Sequence, residues 1–520
     1  MVKQNRKFNS QLPINKIYKK FSSDICDNNM TFHDCEIEIL RHSVEESEKL
    51  SGSKIANSDE VKDLLKIVED FIIRKKLICY GGTAINNILP KFSQFYNRDI
   101  EIPDYDFYSM NALEDAKELA DIYYKNGYID VEAKAGVHRG TFKVFVNYIP
   151  IADITFLNSG VYKSIMKEAI IIAGIHYAPP NFLRMAMYLE LSRPLGDVSR
   201  WEKVFKRLSL LNKHYPLKTT KNCSAIDFGK KIDKNSSESE KIHTIAKDSF
   251  IDQGVVFFGG YAATLYSKYL PDNEVNFLKK IPNFDILSEE PDKCATILKE
   301  TLTRENYKNI KLIEHPEIGE IIPMHVEVTV NSETLAYIYK PIACHSYNKI
   351  TVNNKEVKVA TIDTILTFYL SFLYINNKYY NKDRLLCMAK LLFEIENRNR
   401  LSQKGLLKRF SLDCYGKQLT LEDIRSEKAK KYKELSSERG SKEYNMWFLK
   451  YEPIKKNQTN MNKEEIEKSI LEEPEKRMMK IQKPKIDRKK NKKTKKIPTL
   501  LRILQKKSNT RKNKSSNFLF

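Results

Sequence analysis

The chain contains no Gly-x-x-x-x-Gly-Lys-Ser/Thr loop and no Gly-x-Gly-x-x-Gly placed between a strand and a helix. Ordinary ATPases and dinucleotide enzymes are therefore set aside. Long apolar runs are also missing. The longest, near residues 169–175, is far too short to cross a bilayer. The opening Met1-Val2-Lys3-Gln4-Asn5-Arg6-Lys7 leads into no apolar core, so no secretion signal is expected. The eight cysteines lie far apart, with no Cys-x-x-Cys and no histidine at zinc spacing. They read as reduced thiols of a non-secreted protein, without structural zinc. Acid is almost absent from the end of the chain: between Lys476 and Phe520, 18 Lys/Arg face one acid, Asp487. That stretch holds +17 of the net +22, so the rest of the chain is close to neutral.

At 520 residues and 41% hydrophobic, the chain has length and apolar content for two or three domains with full cores. Apolar spacing predicts a helix over 61–76, a short buried strand at 77–80 ending in Gly81-Gly82, and a helix from 84. A strand over 102–108, a helix over 112–125, strands at 131–132, 141–148 and 151–157, and paired helices at 182–192 and 201–211 follow. The order then repeats. Strands are expected at 255–258, 284–287 and 325–330, and helices at 262–269, 293–303, 364–373 and 384–395. The expected layout is an N-terminal helical segment (1–54), a first α/β domain (55–212), a linker (213–240), a second copy (241–400), a mostly helical region (401–475) and a disordered basic tail (476–520).

Three landmarks carry the repeat. Cys79-Tyr80-Gly81-Gly82 matches Phe257-Phe258-Gly259-Gly260, and Asp104-Tyr105-Asp106 matches Asn283-Phe284-Asp285. Ala152-Asp153-Ile154 is matched to Val326-Glu327-Val328. The offsets are 178, 179 and 174 residues.

Asp104 and Asp106, two apart on a strand, point to one face, with Tyr105 toward the other. If the Asp153 strand is adjacent, three carboxylates converge, which suits Mg2+ or Mn2+ completed by substrate phosphates. Two such ions would activate a hydroxyl and stabilise leaving pyrophosphate. A strand ending in glycines lets backbone approach a triphosphate, with the next helix's amides facing it. Each element alone has a plain alternative: a solvated strand end, a tight turn, an ion pair. Their order argues for chemistry.

The pattern resembles the polymerase-beta nucleotidyltransferase superfamily, and within it the catalytic subunits of poxvirus and giant-virus poly(A) polymerases. The stretches that carry this are Tyr80-Gly81-Gly82-Thr83-Ala84, Asp104 to Ser109, Ala152-Asp153-Ile154, Leu183-Arg184-Met185, Leu191-Ser192-Arg193-Pro194 and Asp197 to Val204. The resemblance implies a duplicated α/β nucleotidyltransferase fold with a degenerate second copy. It implies template-independent addition of AMP from ATP to RNA 3′ ends with two Mg2+ or Mn2+ ions. Asp104 and Asp106 would hold both metals and Asp153 the one that activates the 3′-hydroxyl; Gly81, Gly82 and Thr83 would meet the triphosphate. Arg200, Lys203 and Arg207, spaced along one helix face, are further phosphate candidates or a plain solvated face. His138, near Arg139 and Lys143, reads as surface.

In the second copy Asn283 loses a charge, Glu327 is longer than an aspartate and Tyr261 replaces Thr83, so that copy is expected to be silent. The alternatives are a uridylyl or CCA-adding transferase, or a non-catalytic RNA-binding or processivity protein. The expected partners are an mRNA 3′ end, ATP, and either a second copy or a separate processivity subunit; no membrane is expected. The compartment implied is the host cytoplasm, a viral factory or the virion.

Overall fold

The computed structural model describes residues 25–26, 30–56, 58–97, 103–219, 223, 236–270, 283–319, 321–375, 380–399 and 401–454. The basic tail lies outside them.

The first sheet is built from β1 (Ile78–Tyr80), β2 (Tyr105–Ser109), β3 (Val131–Ala135), β4 (Thr141–Val146), β5 (Ile149–Phe156), β6 (Ile170–Ile172) and β7 (Ile175–Tyr177). The second is built from β8 (Val256–Phe258), β9 (Phe284–Leu287), β10 (Ile310–His315), β11 (His325–Val330), β12 (Glu333–Tyr339), β13 (His345–Val352) and β14 (Lys355–Ala360). Two short strands from the C-terminal region, β15 (Cys414–Tyr415) and β16 (Lys450–Tyr451), extend one sheet each.

The spatial orders are β16-β3-β4-β5-β2-β1-β7-β6 and β10-β11-β12-β9-β8-β14-β13-β15. Without the two additions, the orders correspond strand for strand. The directions correspond too. β1–β2 and β8–β9 are antiparallel, while β2–β5 and β9–β12 are parallel. The duplication expected from the sequence is therefore present, and it corrects one landmark. The partner of β5 is β12, which the sequence pattern passes over, and β11 corresponds to β4. Glu327 thus stands where Lys143 stands in the first copy, and Tyr337 stands where Asp153 does.

Local sequence explains the elements that hold the site. The helix Asp59–Lys75 buries Val61, Leu64, Val68, Phe71 and Ile72, is capped by the Ser58 side chain, and ends at left-handed Lys76. Lys75 ties it to Asp115 and Glu118 on the helix Ala112–Lys125 at 2.8 Å each. In β4, Phe142, Val144 and Val146 face the core while Thr141, Lys143 and Phe145 alternate outward. The helices after Gly-Gly start at Gly81 and Gly259, three residues earlier than the pattern predicts.

Equivalent helices join the copies. Pro180–Leu191 packs against Ile362–Phe372, with Phe182 and Tyr374 edge to face at 5.3 Å and Ser371 Oγ donating to Met185 Sδ. Every residue of Ile362–Phe372 is buried. Trp201–His214 and Lys382–Arg398 cover these helices from outside.

The cysteine reading is corrected. Six of the eight are paired: Cys26–Cys35, Cys223–Cys387 and Cys344–Cys414. Only Cys79 and Cys294 are free, both buried. Two of the bridges span 164 and 70 residues, so spacing along the chain carried no sign of them. The stretch 401–454 is less helical than expected. It has the helices Leu421–Leu435 and Lys442–Phe448, but β15 sits on β13 and β16 on β3, so it reaches from one sheet to the other.

Candidate active site

Four strands place one row of side chains across the open face of the first sheet. Tyr80 pairs with Asp106, Asp106 with Asp153, and Asp153 with Lys143. Residues in register on neighbouring strands point the same way, so the two aspartates lie side by side. Asp104 sits just before β2, exposed at its mouth. Tyr105 points to the opposite side and donates to Glu69.

The Gly-Gly turn is shaped by what lies against it. Gly81 has φ +72, and a β-carbon there would be 2.6 Å from Oδ2 of Asp106. Only glycine suits both the backbone conformation and the carboxylate. A β-carbon on Gly82 would meet the Arg207 guanidinium at 2.9 Å. Arg207 is buried, donates to the Tyr96 hydroxyl at 2.6 Å and lies over the rings of Phe95 and Tyr96 at 4.7 and 5.3 Å. Asn86 Oδ1 fixes that aromatic pair by accepting from the Phe95 and Tyr96 amides at 2.8 and 2.9 Å. The Thr83 hydroxyl donates to the Asp104 carbonyl at 2.8 Å, so Thr83 anchors the segment that presents Asp104.

The three basic candidates differ in exposure and partners. Arg207 is buried over Gly82, Lys203 is exposed, and Arg200, in the turn before the helix, pairs with Glu190 at 3.3 Å. Beside the Gly-Gly turn opens a small, mostly apolar cleft. It is lined by Tyr80, Tyr108, Phe182, Met187 and Arg207, with Glu190 the acid in its wall. Tyr80 and Tyr108 stack at 3.9 Å, and Phe182 meets Tyr108 edge to face at 5.8 Å. A flat aromatic or heterocyclic group suits such walls. The sequence pattern had not singled out Tyr96, Tyr108, Glu190 or Met187, and had seen Lys143 only as a neighbour of His138. Their positions depend on strand register and on a helix more than seventy residues downstream.

Electrostatics single out Asp106. Burial pushes its carboxyl well above the usual range, the charges of Asp153 and Asp104 push the same way, and Lys143 and Arg200 oppose them. Burial also raises the Glu190 carboxyl, against the pull of Arg200 and Arg193. Lys143 and Asp153 form an ion pair. Among the described residues, no three His, Cys, Asp or Glu side chains are arranged to hold a metal ion together. The donor chemistry nevertheless fits a hard divalent cation: crowded, partly buried carboxylate oxygens whose mutual repulsion one lysine offsets only in part.

The second copy keeps the frame but carries a different row of side chains. Its row is Phe258, Asp285, Tyr337 and Glu327. Gly259 repeats the +72 conformation against Asp285. Glu327 is engaged by Thr334 and, at 3.0 Å, by His315. Where the first copy opens its cleft, the second stacks Phe258 on Phe368 at 4.5 Å, with Tyr339 5.3 Å away.

Comparison with known proteins follows the same lines. Residues 66–197 match the family model of the poly(A) polymerase catalytic subunit. The resemblance read from the sequence holds there. Relatives include the putative poly(A) polymerase catalytic subunit of African swine fever virus (isolate Pig/Kenya/KEN-50/1950), 32% identical over 32% of this chain and 36% of the relative. The protein so named in Acanthamoeba polyphaga mimivirus is 29% identical over 42% of this chain and 33% of the relative. The chain thus matches about a third of the length of these curated relatives. The crystal structure of the Megavirus polyadenylate synthase superposes with a TM-score of 0.70 over 90% of this chain and 92% of that one, at 20% identity. That likeness shows the fold, a mixed α/β architecture with two mixed sheets and flanking helices. No helix among the described residues is long and apolar enough to cross a membrane.

Proposed function

We propose that the first copy is a template-independent poly(A) polymerase that transfers AMP from ATP to RNA 3′ ends. The observation that carries this is the in-register pair Asp106 and Asp153, facing the Gly81-Gly82 turn and the aromatic cleft. Asp104 and Asp106 would hold two Mg2+ or Mn2+ ions, and Asp153 one of them; such ions activate the attacking hydroxyl and offset charge on pyrophosphate. Gly81 and Gly82 bring the backbone close to the triphosphate, and Arg207 faces the same turn with its charge. Lys203 and Arg200 stand further along, toward solvent and Glu190. Tyr80, Tyr108 and Phe182 provide flat apolar walls for the base. Thr83 acts through the Asp104 segment that it holds.

The second copy serves as scaffold and RNA-contacting surface, and the domain partition given above is kept as part of this reading. The relatives' title of catalytic subunit fits a separate processivity subunit, with self-association as the alternative that sedimentation would detect. Of the compartments considered, the three disulfides favour the virion over the reducing cytoplasm.

The test is incubation of the full chain with an RNA primer, Mg2+ or Mn2+, and labelled ATP, UTP or CTP in turn. Extension with ATP alone is expected. Preference for UTP or CTP would make the chain a different terminal transferase, and no extension with any would leave it a binding protein.

A further inference from the structure

We propose that Lys143 is a counter-ion built into the site, holding the place beside Asp153 that a divalent ion takes, so that metal enters by displacing its ammonium. This rests on the reading of Asp104, Asp106 and Asp153 as metal ligands. Three observations carry it.

Lys143 lies directly across from Asp153 on β4, on the face that presents Asp106, and the two form an ion pair. Both side chains keep about a quarter of their surface, 25% and 28%, so the pair is reachable from solvent and can be opened. Lys143 also acts electrostatically on Asp106, where its charge opposes the crowding of the three carboxylates.

The third observation comes from the duplication. The same two positions in the second sheet are Glu327 and Tyr337. The copy that lost the third aspartate also lost the lysine, and the charge there is reversed. Glu327 has turned instead to His315 and Thr334. A lysine kept simply to strengthen a β-ladder has no reason to vanish with a metal ligand, whereas a counter-ion does.

The chemistry fits the exchange. An ammonium is a compact point charge on a flexible stem. It can neutralise one carboxylate and then swing aside, while a divalent ion bridges several oxygens and carries twice the charge. Lys143 is thus a positioning residue: it keeps Asp153 and Asp106 together when metal is absent, and it sets how much metal the site needs.

The experiment measures Mn2+ binding to the full chain without nucleotide or RNA, by titration calorimetry or by the electron paramagnetic signal of free Mn2+. Lys143→Met is expected to bind Mn2+ about tenfold more tightly than the natural protein, with a lower melting temperature in chelator that Mn2+ restores. Lys143→Arg, which keeps the charge, should stay within about threefold of the natural affinity. If Lys143→Met does not fold, Lys143→Gln carries the same comparison. Unchanged or weaker Mn2+ binding by a folded neutral variant, with binding abolished in Asp106→Asn, overturns the role of Lys143 alone. Normal Mn2+ binding by Asp106→Asn overturns the metal reading itself and the inference with it.

Discussion

Asp106 holds position 81 to glycine: a β-carbon on Gly81 would lie 2.6 Å from Oδ2 of the aspartate. The second copy repeats the relationship, with a Gly259 β-carbon 2.6 Å from that of Asp285. The frame is thus common to both copies. Gly81→Ala and Gly259→Ala should each destabilise the fold by more than about 1 kcal/mol, from positive φ plus the clash. Only Gly81→Ala should abolish nucleotide addition by the protein that remains folded. Melting curves alongside primer extension check both; equal loss of activity in the two variants would mean that both sites work.

Asp104→Ala and Asp106→Asn should each reduce addition a thousandfold or more, about 4 kcal/mol of barrier, with primer binding close to normal. Asp285→Ala and Glu327→Ala should change the rate less than about threefold, under 1 kcal/mol, because Tyr337 stands where a third ligand is needed. Single-turnover assays on folded variants decide. Near-normal addition by Asp104→Ala would remove it from the site.

Arg207 fills the space where a Gly82 side chain would lie, donates to the Tyr96 hydroxyl and covers the ring of Phe95. Arg207→Lys keeps the charge but not the planar fork, so KM for ATP should rise about tenfold with a smaller change in kcat. Tyr96→Phe should raise it less. A kcat effect without a KM effect would place Arg207 at the reacting atoms instead.

How far the sequence reached follows from distance along the chain. Gly81-Gly82 and Asp104-Tyr105-Asp106 are local patterns: β1 ends at the glycines and Asp106 lies on β2, although Asp104 falls just before that strand and the helix already begins at Gly81. Asp153 was legible because a short apolar strand surrounds it. The counterpart in the second copy was not: β12 has Tyr337 in register with Asp285, and the acid that resembles Asp153 in local sequence, Glu327, lies on the preceding strand. Strands such as β6 and β7 are three residues long, too short for a periodic signal. The cleft wall from Phe182 to Arg207 and the disulfides exist only once distant segments meet.

Two buried histidines set an acid limit. Burial lowers His325 to about 4 and His345 to about 3, and neither ring nitrogen of His345 has a hydrogen-bond partner. Both are neutral when folded and take up protons more readily unfolded, so they favour unfolding as pH falls below about 6.5. The loss from His325 should reach a few kcal/mol by about pH 4. Melting temperature against pH should fall through that window, and His345→Phe, by removing the lower-titrating group, should flatten the steepest part of the fall.

The Cys223–Cys387 bridge closes a 164-residue loop. Reduction should lower stability by roughly 2–5 kcal/mol in the chain-entropy account, seen as a drop in melting temperature on adding dithiothreitol. Cys223→Ser should show most of the same drop without reductant.

The strand β16 sets the order in which the protein can be made. Its Tyr451 hydroxyl donates to Asp121 at 2.6 Å across 330 residues of chain, and its backbone completes the edge of the first sheet at β3. On the ribosome, the open edge of β3 must wait until the whole second copy and some fifty residues beyond it have been synthesised. During that interval an exposed edge is open to pairing with another nascent chain. Translation speed and chaperone supply therefore bear on the yield of the first domain, although its catalytic residues emerge early. A protein truncated before Lys450 would carry every proposed ligand and still keep that edge uncovered.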